Sequence, residues 1–227
     1  QIRGELADLD RRQRGQRRAV RHQGLLADRH PLRRLHPDEP HRLACLETGG
    51  LTARLVALLG AECTGKSTLA AALARHCNAG LVSEYLREWC DAHGRTPLRH
   101  EQAHIAAEQA ARIDAAARQH ALVFCDTTPL ITALCSEHYF DDPSLMPAAF
   151  DFQRRCALTL LCAPDLPWEA DGIQRDGPEV RARFDARLRA ALQGHRLSWV
   201  EIRGHQDMRL QAALGALAAL PALQRSD

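Results

Sequence analysis

The chain has 227 residues, 30 of them basic and 28 acidic, for a formal net charge of +2. This length holds one domain of ordinary size with an appendage, or two small ones, and a core that needs no covalent staples. A hydrophobic content of 45% argues against a disordered chain, near-neutral charge argues against a dedicated nucleic-acid binder, and no apolar run is long enough to cross a membrane.

Residues 1–43 hold eleven arginines against six acids, so the remainder of the chain carries a net −3. This segment has few β-branched or aromatic residues and ends in Pro37, Pro40 and Gly49-Gly50. Its composition predicts a poorly ordered extension over 1–50. An arginine-rich arm can also dock on nucleic acid or on membrane phosphates. An Arg-rich transit peptide has a similar composition, but the acids here count against that.

From residue 54 the pattern becomes regular, and the domain is expected to run over 51–222. Arg54-Leu-Val-Ala-Leu-Leu59 is a short apolar run bounded by glycine, the signal of a buried strand. An Ala/Leu-rich helix follows from Thr68, a short strand begins at Leu81-Val82, and a helix follows over 86–92. A long helix is predicted over 99–119, a buried strand over 121–125 and a helix over 129–137. The run 157–162 predicts a fourth strand, and 164–178 is a polar loop. A helix over 179–192, a strand over 198–202 and a helix over 208–220 close the chain. Strands alternating with helices predict a parallel sheet covered on both faces.

The eight cysteines include no CxxC pair, and several sit in apolar runs, as Cys125 does. They read as reduced thiols acting as small hydrophobes, in a cytoplasmic protein. The twelve histidines are scattered.

Gly60-Ala-Glu62-Cys63-Thr64-Gly65-Lys66-Ser67 matches GxxxxGK[ST] between a predicted strand and a predicted helix. Glycines let successive backbone N–H groups curl around one anion, and the helix N-terminus adds its positive dipole end. In such a loop Lys66 reaches the β- and γ-phosphates of ATP and the Ser67 hydroxyl ligates magnesium, with Thr68 opening the helix. Lys66 is the only lysine in the chain; the other 29 basic residues are arginines. Asp126 ends a neighbouring strand and either holds magnesium or caps the turn Thr127-Thr128-Pro129.

Glu84-Tyr85-Leu86-Arg87-Glu88 follows the second strand. Glu84 can take a proton from an acceptor hydroxyl or bind sugar hydroxyls, and Arg87 lies three residues on, on the same helical face. The alternative is an ordinary surface ion pair. The loop from Asp165 carries Trp168, which either stacks on a flat ring or pins the loop to the body. Arg175 and Arg181 are candidates to close over phosphates and exclude water.

Residues 54–220 resemble the NadR-like P-loop family, which includes the ribosylnicotinamide kinase domain of NadR. The resemblance rests on four pieces in order: Gly-Ala-Glu-Cys-Thr-Gly-Lys-Ser-Thr (60–68), Glu-Tyr-Leu-Arg-Glu (84–88), Asp-Thr-Thr-Pro-Leu (126–130) and Asp-Leu-Pro-Trp-Glu-Ala-Asp-Gly (165–172). It implies an α/β fold of the nucleoside-monophosphate-kinase type, with strand order 2-3-1-4-5 and a lid loop. It also implies ATP with magnesium and phosphorylation of the 5′-hydroxyl of nicotinamide riboside. Glu84, Tyr85, Arg87, Trp168 and Asp171 are then the expected substrate residues. Two departures stand out. NadR has a nucleotidyltransferase domain ahead of its kinase domain, whereas about fifty residues precede the P-loop here, so adenylyl transfer is not expected. Ser83 also stands where characterised riboside kinases carry a tryptophan. The expected activity is therefore that of a small-molecule kinase acting on a nucleoside. The rival expectations are a regulatory P-loop ATPase that acts on a protein or lipid partner, and a nucleic-acid binder that uses the arm.

Overall fold

The computed structural model describes residues 53–169 and 177–221. Five strands form one sheet: β1 (Arg54–Leu59), β2 (Gly80–Val82), β3 (Leu122–Asp126), β4 (Leu158–Cys162) and β5 (Val200–Ile202). Their order is β2-β3-β1-β4-β5, and every pairing is parallel. The order is the one the family resemblance implies. The helices are α1 (Lys66–Cys77), α2 (Tyr85–His93), α3 (Gln102–Ala117), α4 (Pro129–Phe140), α5 (Met146–Gln153), α6 (Pro178–Gly194) and α7 (Gln206–Ala218). A 3-10 turn, Arg99–Glu101, leads into α3.

β1 is central, so both of its faces are covered. Val56 and Leu58 pack with Leu69, Ala70 and Leu73 of α1 and with Ala213 of α7. Ala57 and Leu59 pack on the other face with Leu130 and Leu134 of α4 and Leu188 of α6. Residues 55–59 are all buried, which is why this strand reads as a continuous apolar run rather than an alternating one. A third layer, Leu55, Val123 and Cys125, packs against Ile113 of α3. Each fully buried Leu or Phe contributes about 1.5–3 kcal/mol of hydrophobic transfer.

α5 has no counterpart in the sequence-based assignment. Pro147 stands at its start, where a missing N–H costs nothing, although a proline in an unassigned stretch reads as a break. The thiols of Cys90 and Cys162 are pushed up to about 11, and that of Cys156 to about 12, chiefly by burial. None of the described residues forms a helix long and apolar enough to cross a membrane.

Because all strands run the same way, the segments after β1, β2, β3, β4 and β5 emerge at one edge of the sheet. The chain passes from β1 out to β2, returns to β3, then crosses β1 to reach β4. That edge is where an open parallel sheet forms a ligand crevice.

Candidate functional site

The loop after β1 turns sharply at two glycines. Gly60 has φ 150°, and a Cβ there would lie 2.7 Å from the Cys162 carbonyl oxygen and 2.9 Å from Thr64 Oγ1. Gly65 has φ 72° and caps α1, which begins at Lys66, two residues earlier than the sequence pattern predicts. The left-handed glycine aims the helix start, with its unpaired N–H groups, into the loop. Ser67 and Thr68 occupy the first turn of α1 and are exposed. Lys66 Nζ donates to the Ala61 carbonyl at 2.8 Å, and Thr64 Oγ1 donates to the same carbonyl at 2.8 Å. The lysine thus spans its own loop.

Asp126 ends β3 in register with Leu58 of β1, one strand over from the P-loop. It is 5% exposed, and its Oδ1 has no hydrogen-bond partner among the described residues. A buried carboxylate oxygen without a partner is uncommon and suits a ligand or cation. Of the two sequence readings, the buried end of a strand favours the ligand role over a solvated cap. Thr127 follows with φ 72°, an unusual conformation for a β-branched residue, and its N–H donates to the Leu58 carbonyl at 3.2 Å. No group of three or more His, Cys, Asp or Glu that could hold a metal occurs among the described residues. The oxygens available at this edge suit a magnesium ion shared with phosphates rather than a protein cage.

Glu84 caps α2 at the end of the β2 segment. Burial raises its pKa above the ordinary carboxylate value; the Lys66 charge pulls it down, Asp126 pushes it up, and Arg87 lowers it further. Glu84 follows β2, Lys66 follows β1 and Asp126 ends β3, so all three stand at the same end of the sheet. Arg87 Nε lies 3.8 Å from Glu84 Oε2, with the carboxylate side chain 15% exposed, so the spacing of three does form an ion pair. Tyr85 is covered on one side: the Arg112 guanidinium carbon lies 4.2 Å from its ring centroid, and its hydroxyl is 3.5 Å from His104 Nε2.

The loop after β4 lies against the P-loop. Trp168 Nε1 donates to Glu62 Oε1 at 2.9 Å, and Cys63 Sγ donates to the Glu169 carbonyl at 3.3 Å. Leu166 reaches over the glycine cap, since a Cβ on Gly65 would come within 3.1 Å of Leu166 Cδ1. In this arrangement Trp168 pins its loop to the body, one of the two readings the sequence left open. Arg181 lies in α6, and its Nη1 donates to the Leu166 carbonyl at 3.0 Å. It braces the base of the loop. Asp171 and Arg175 lie outside the described residues.

Two further side chains shape this edge, and sequence reasoning missed both. Gln109 of α3 is buried; its Oε1 accepts the Tyr85 N–H at 2.7 Å and its Nε2 donates to the Ser83 carbonyl at 3.3 Å. It clamps the backbone on either side of Glu84. Arg209 of α7 is 2% exposed and reaches the loops after β1, β4 and β5. Neither stands in a local motif, so spacing gave no signal.

Residues 55–209 match the family model AAA_28, described as an AAA domain. The chain belongs to this family. Outside the family model, it is 31% identical over 157 residues to the trifunctional NAD biosynthesis/regulator protein NadR of Salmonella typhimurium, and 31% over 156 residues to NadR of Escherichia coli. Each alignment covers 66% of this chain, and the chain spans 38% of the length of those relatives. Among solved structures, a NadR protein in complex with NR superposes with a TM-score of 0.62 at 22% identity, over 78% of this chain and 54% of that one. A deoxyadenosine kinase from M. mycoides superposes with a TM-score of 0.54 at 12% identity, over 73% and 99% of the two chains. These superpositions establish the P-loop kinase fold for this AAA_28 chain.

Proposed function

We propose that this protein is an ATP- and magnesium-dependent kinase that phosphorylates a hydroxyl of a small nucleoside, with nicotinamide riboside as the leading acceptor. The observation that carries the reading is the placement of Lys66 after β1, Glu84 after β2 and Asp126 at the end of β3, all at one edge of the parallel sheet. The NadR structure with NR and the NadR relatives support the choice of acceptor.

In this reading the amides of 62–68 and the Lys66 ammonium bind the phosphates. Lys66 leaves the Ala61 carbonyl to do so, exchanging one neutral acceptor for charged oxygens. The Ser67 hydroxyl and the Asp126 carboxylate hold magnesium, which neutralises charge on the phosphate oxygens when bound. Glu84 accepts the acceptor's hydroxyl proton or orients the sugar, and its raised pKa keeps it a better base than a solvated glutamate. Arg87 and Tyr85 flank the acceptor, and Arg87 balances the Glu84 charge. Trp168 and Arg181 hold the loop over the P-loop, limiting water at the transferring phosphoryl group. Arg175 and Asp171 belong to the same loop in sequence and are assigned to phosphate closure and acceptor binding. Catalysis on this account is mostly positioning and charge stabilisation.

The test is a panel of nucleosides offered with magnesium-ATP, with products read by mass spectrometry. Phosphate on the sugar of one nucleoside is the expected result. Slow hydrolysis indifferent to every nucleoside, but raised by a protein or lipid partner, would instead favour a regulatory ATPase.

A further inference from the structure

Arg209 heads the fully buried large side chains of the described residues, and it is a charged one. A buried guanidinium is costly unless its donors are met. Here they are met by three separate loops. Nε donates to the Gly204 carbonyl at 2.7 Å, Nη1 to the Thr64 carbonyl at 3.0 Å and Nη2 to the Ala163 carbonyl at 3.0 Å. Nη2 also pairs with Asp165 Oδ1, while Asp165 Oδ2 accepts the Gly204 N–H at 2.7 Å. Asp165 therefore supplies the counter-charge, and the arginine does not need a phosphate to be satisfied.

The contact with Thr64 has a geometric consequence. In a trans peptide the C=O and the following N–H point in opposite directions. Holding the Thr64 oxygen toward Arg209 turns the Gly65 N–H the opposite way, away from Arg209. Gly65 has no side chain to fix its own peptide plane and stands at φ 72°, so the plane needs an outside restraint. The rigid fork of a guanidinium can hold a carbonyl in each of three directions, as a single ammonium on a flexible stem cannot.

We propose that Arg209 is a positioning residue for phosphate binding. It clamps the Thr64 carbonyl so that the Gly65 amide is preset toward the anion, and it fixes the loops after β4 and β5 to the same point. The proposal rests on the reading of the P-loop as an ATP site.

The test is titration of wild type, R209K and R209A with magnesium-ADP by calorimetry, well below each protein's unfolding midpoint. Steady-state kinetics with nicotinamide riboside as the acceptor probe accompany it. R209K is expected to bind magnesium-ADP at least tenfold more weakly and to raise the ATP KM, with the riboside KM within twofold of wild type. Added guanidinium at millimolar concentration is expected to restore part of the ADP affinity of R209A and none of that of wild type. A merely structural role would lower the melting point and weaken both ligands alike, without rescue, and that result would overturn the proposal. So would wild-type ADP affinity in R209K. If R209K and R209A do not fold, D165N replaces them: several-fold weaker ADP binding is expected, and unchanged binding overturns the proposal. Absence of ADP binding by wild type would instead overturn the ATP reading and the proposal with it.

Discussion

The Trp168 indole N–H donates to the Glu62 carboxylate at 2.9 Å, joining the loop after β4 to the third residue of the P-loop. A ligand that reshapes the P-loop must therefore change the surroundings of this indole.

Trp168→Phe keeps most of the apolar ring and removes the donor. A net hydrogen bond is worth about 0.5–1.5 kcal/mol, so the variant should lose no more than that in chemical denaturation. Wild type should change its tryptophan fluorescence on addition of magnesium-ATP. The change should disappear in Trp168→Phe, because the other two tryptophans make their contacts elsewhere: Trp89 is buried in α2, and Trp199 packs on the cluster that holds Leu188 and Leu192 of α6. An undiminished change would place the reporter elsewhere.

Lys66 is the sole lysine of 227 residues. An amine-selective reagent should therefore label one internal site, apart from any free amino terminus. Magnesium-ATP should slow that labelling severalfold, as peptide mapping would show. Labelling at Lys66 that is indifferent to nucleotide would contradict a phosphate role.

Glu84 carries a carboxyl whose pKa burial raises, even against the opposing pull of Lys66. If it acts on the acceptor hydroxyl, kcat/KM should fall on the acid side at a pH above the ordinary glutamate value. Glu84→Gln should lower kcat by two orders of magnitude or more, the usual scale of general-base loss. A rate unaffected by Glu84→Gln would assign the residue to charge balance with Arg87.

Glu101 is the opposite case. Both of its oxygens accept from Arg95, at 2.7 and 2.6 Å, and the Leu98 N–H donates to it at 2.7 Å. The Arg95 hydrogen bond is the main cause that holds its pKa down at about 2. A carboxylate depressed in the folded state stabilises the protein above its unfolded pKa, and that contribution fades as pH falls toward the folded value. Glu101→Gln should cost about 1 kcal/mol at neutral pH, the scale of a well-formed partly exposed pair. The gap to wild type should close between the ordinary glutamate value and pH 2. Urea melts across that range measure it, and a gap that stays constant with pH would rule out the ionic contribution.

Much of this edge can be read from the chain. The strand β1, the glycine-bounded loop and Lys66 announce themselves locally because the GxxxxGK[ST] pattern fixes residue types within eight consecutive positions. Glu84 and Arg87 likewise sit three apart and pair as that spacing suggests. The interaction between Trp168 and Glu62 joins residues 106 positions apart, so only the folded chain distinguishes pinning from stacking. Arg209 and Thr64 are 145 positions apart, and an arginine in so arginine-rich a chain gives no hint that it is buried. Gln109 is hidden for the same reason: polar, mid-helix and unremarkable until the turn around Glu84 comes to rest on it. Helix α5 went unread because Pro147 marks a helix start as readily as a stop.

The most direct test of the kinase account is transfer of a labelled γ-phosphate from ATP to nicotinamide riboside by wild type and Lys66→Ala, with both melting points recorded. The account predicts labelled riboside phosphate from wild type and at least a thousandfold slower transfer by Lys66→Ala, at a melting point close to that of wild type. Normal transfer by Lys66→Ala would contradict it.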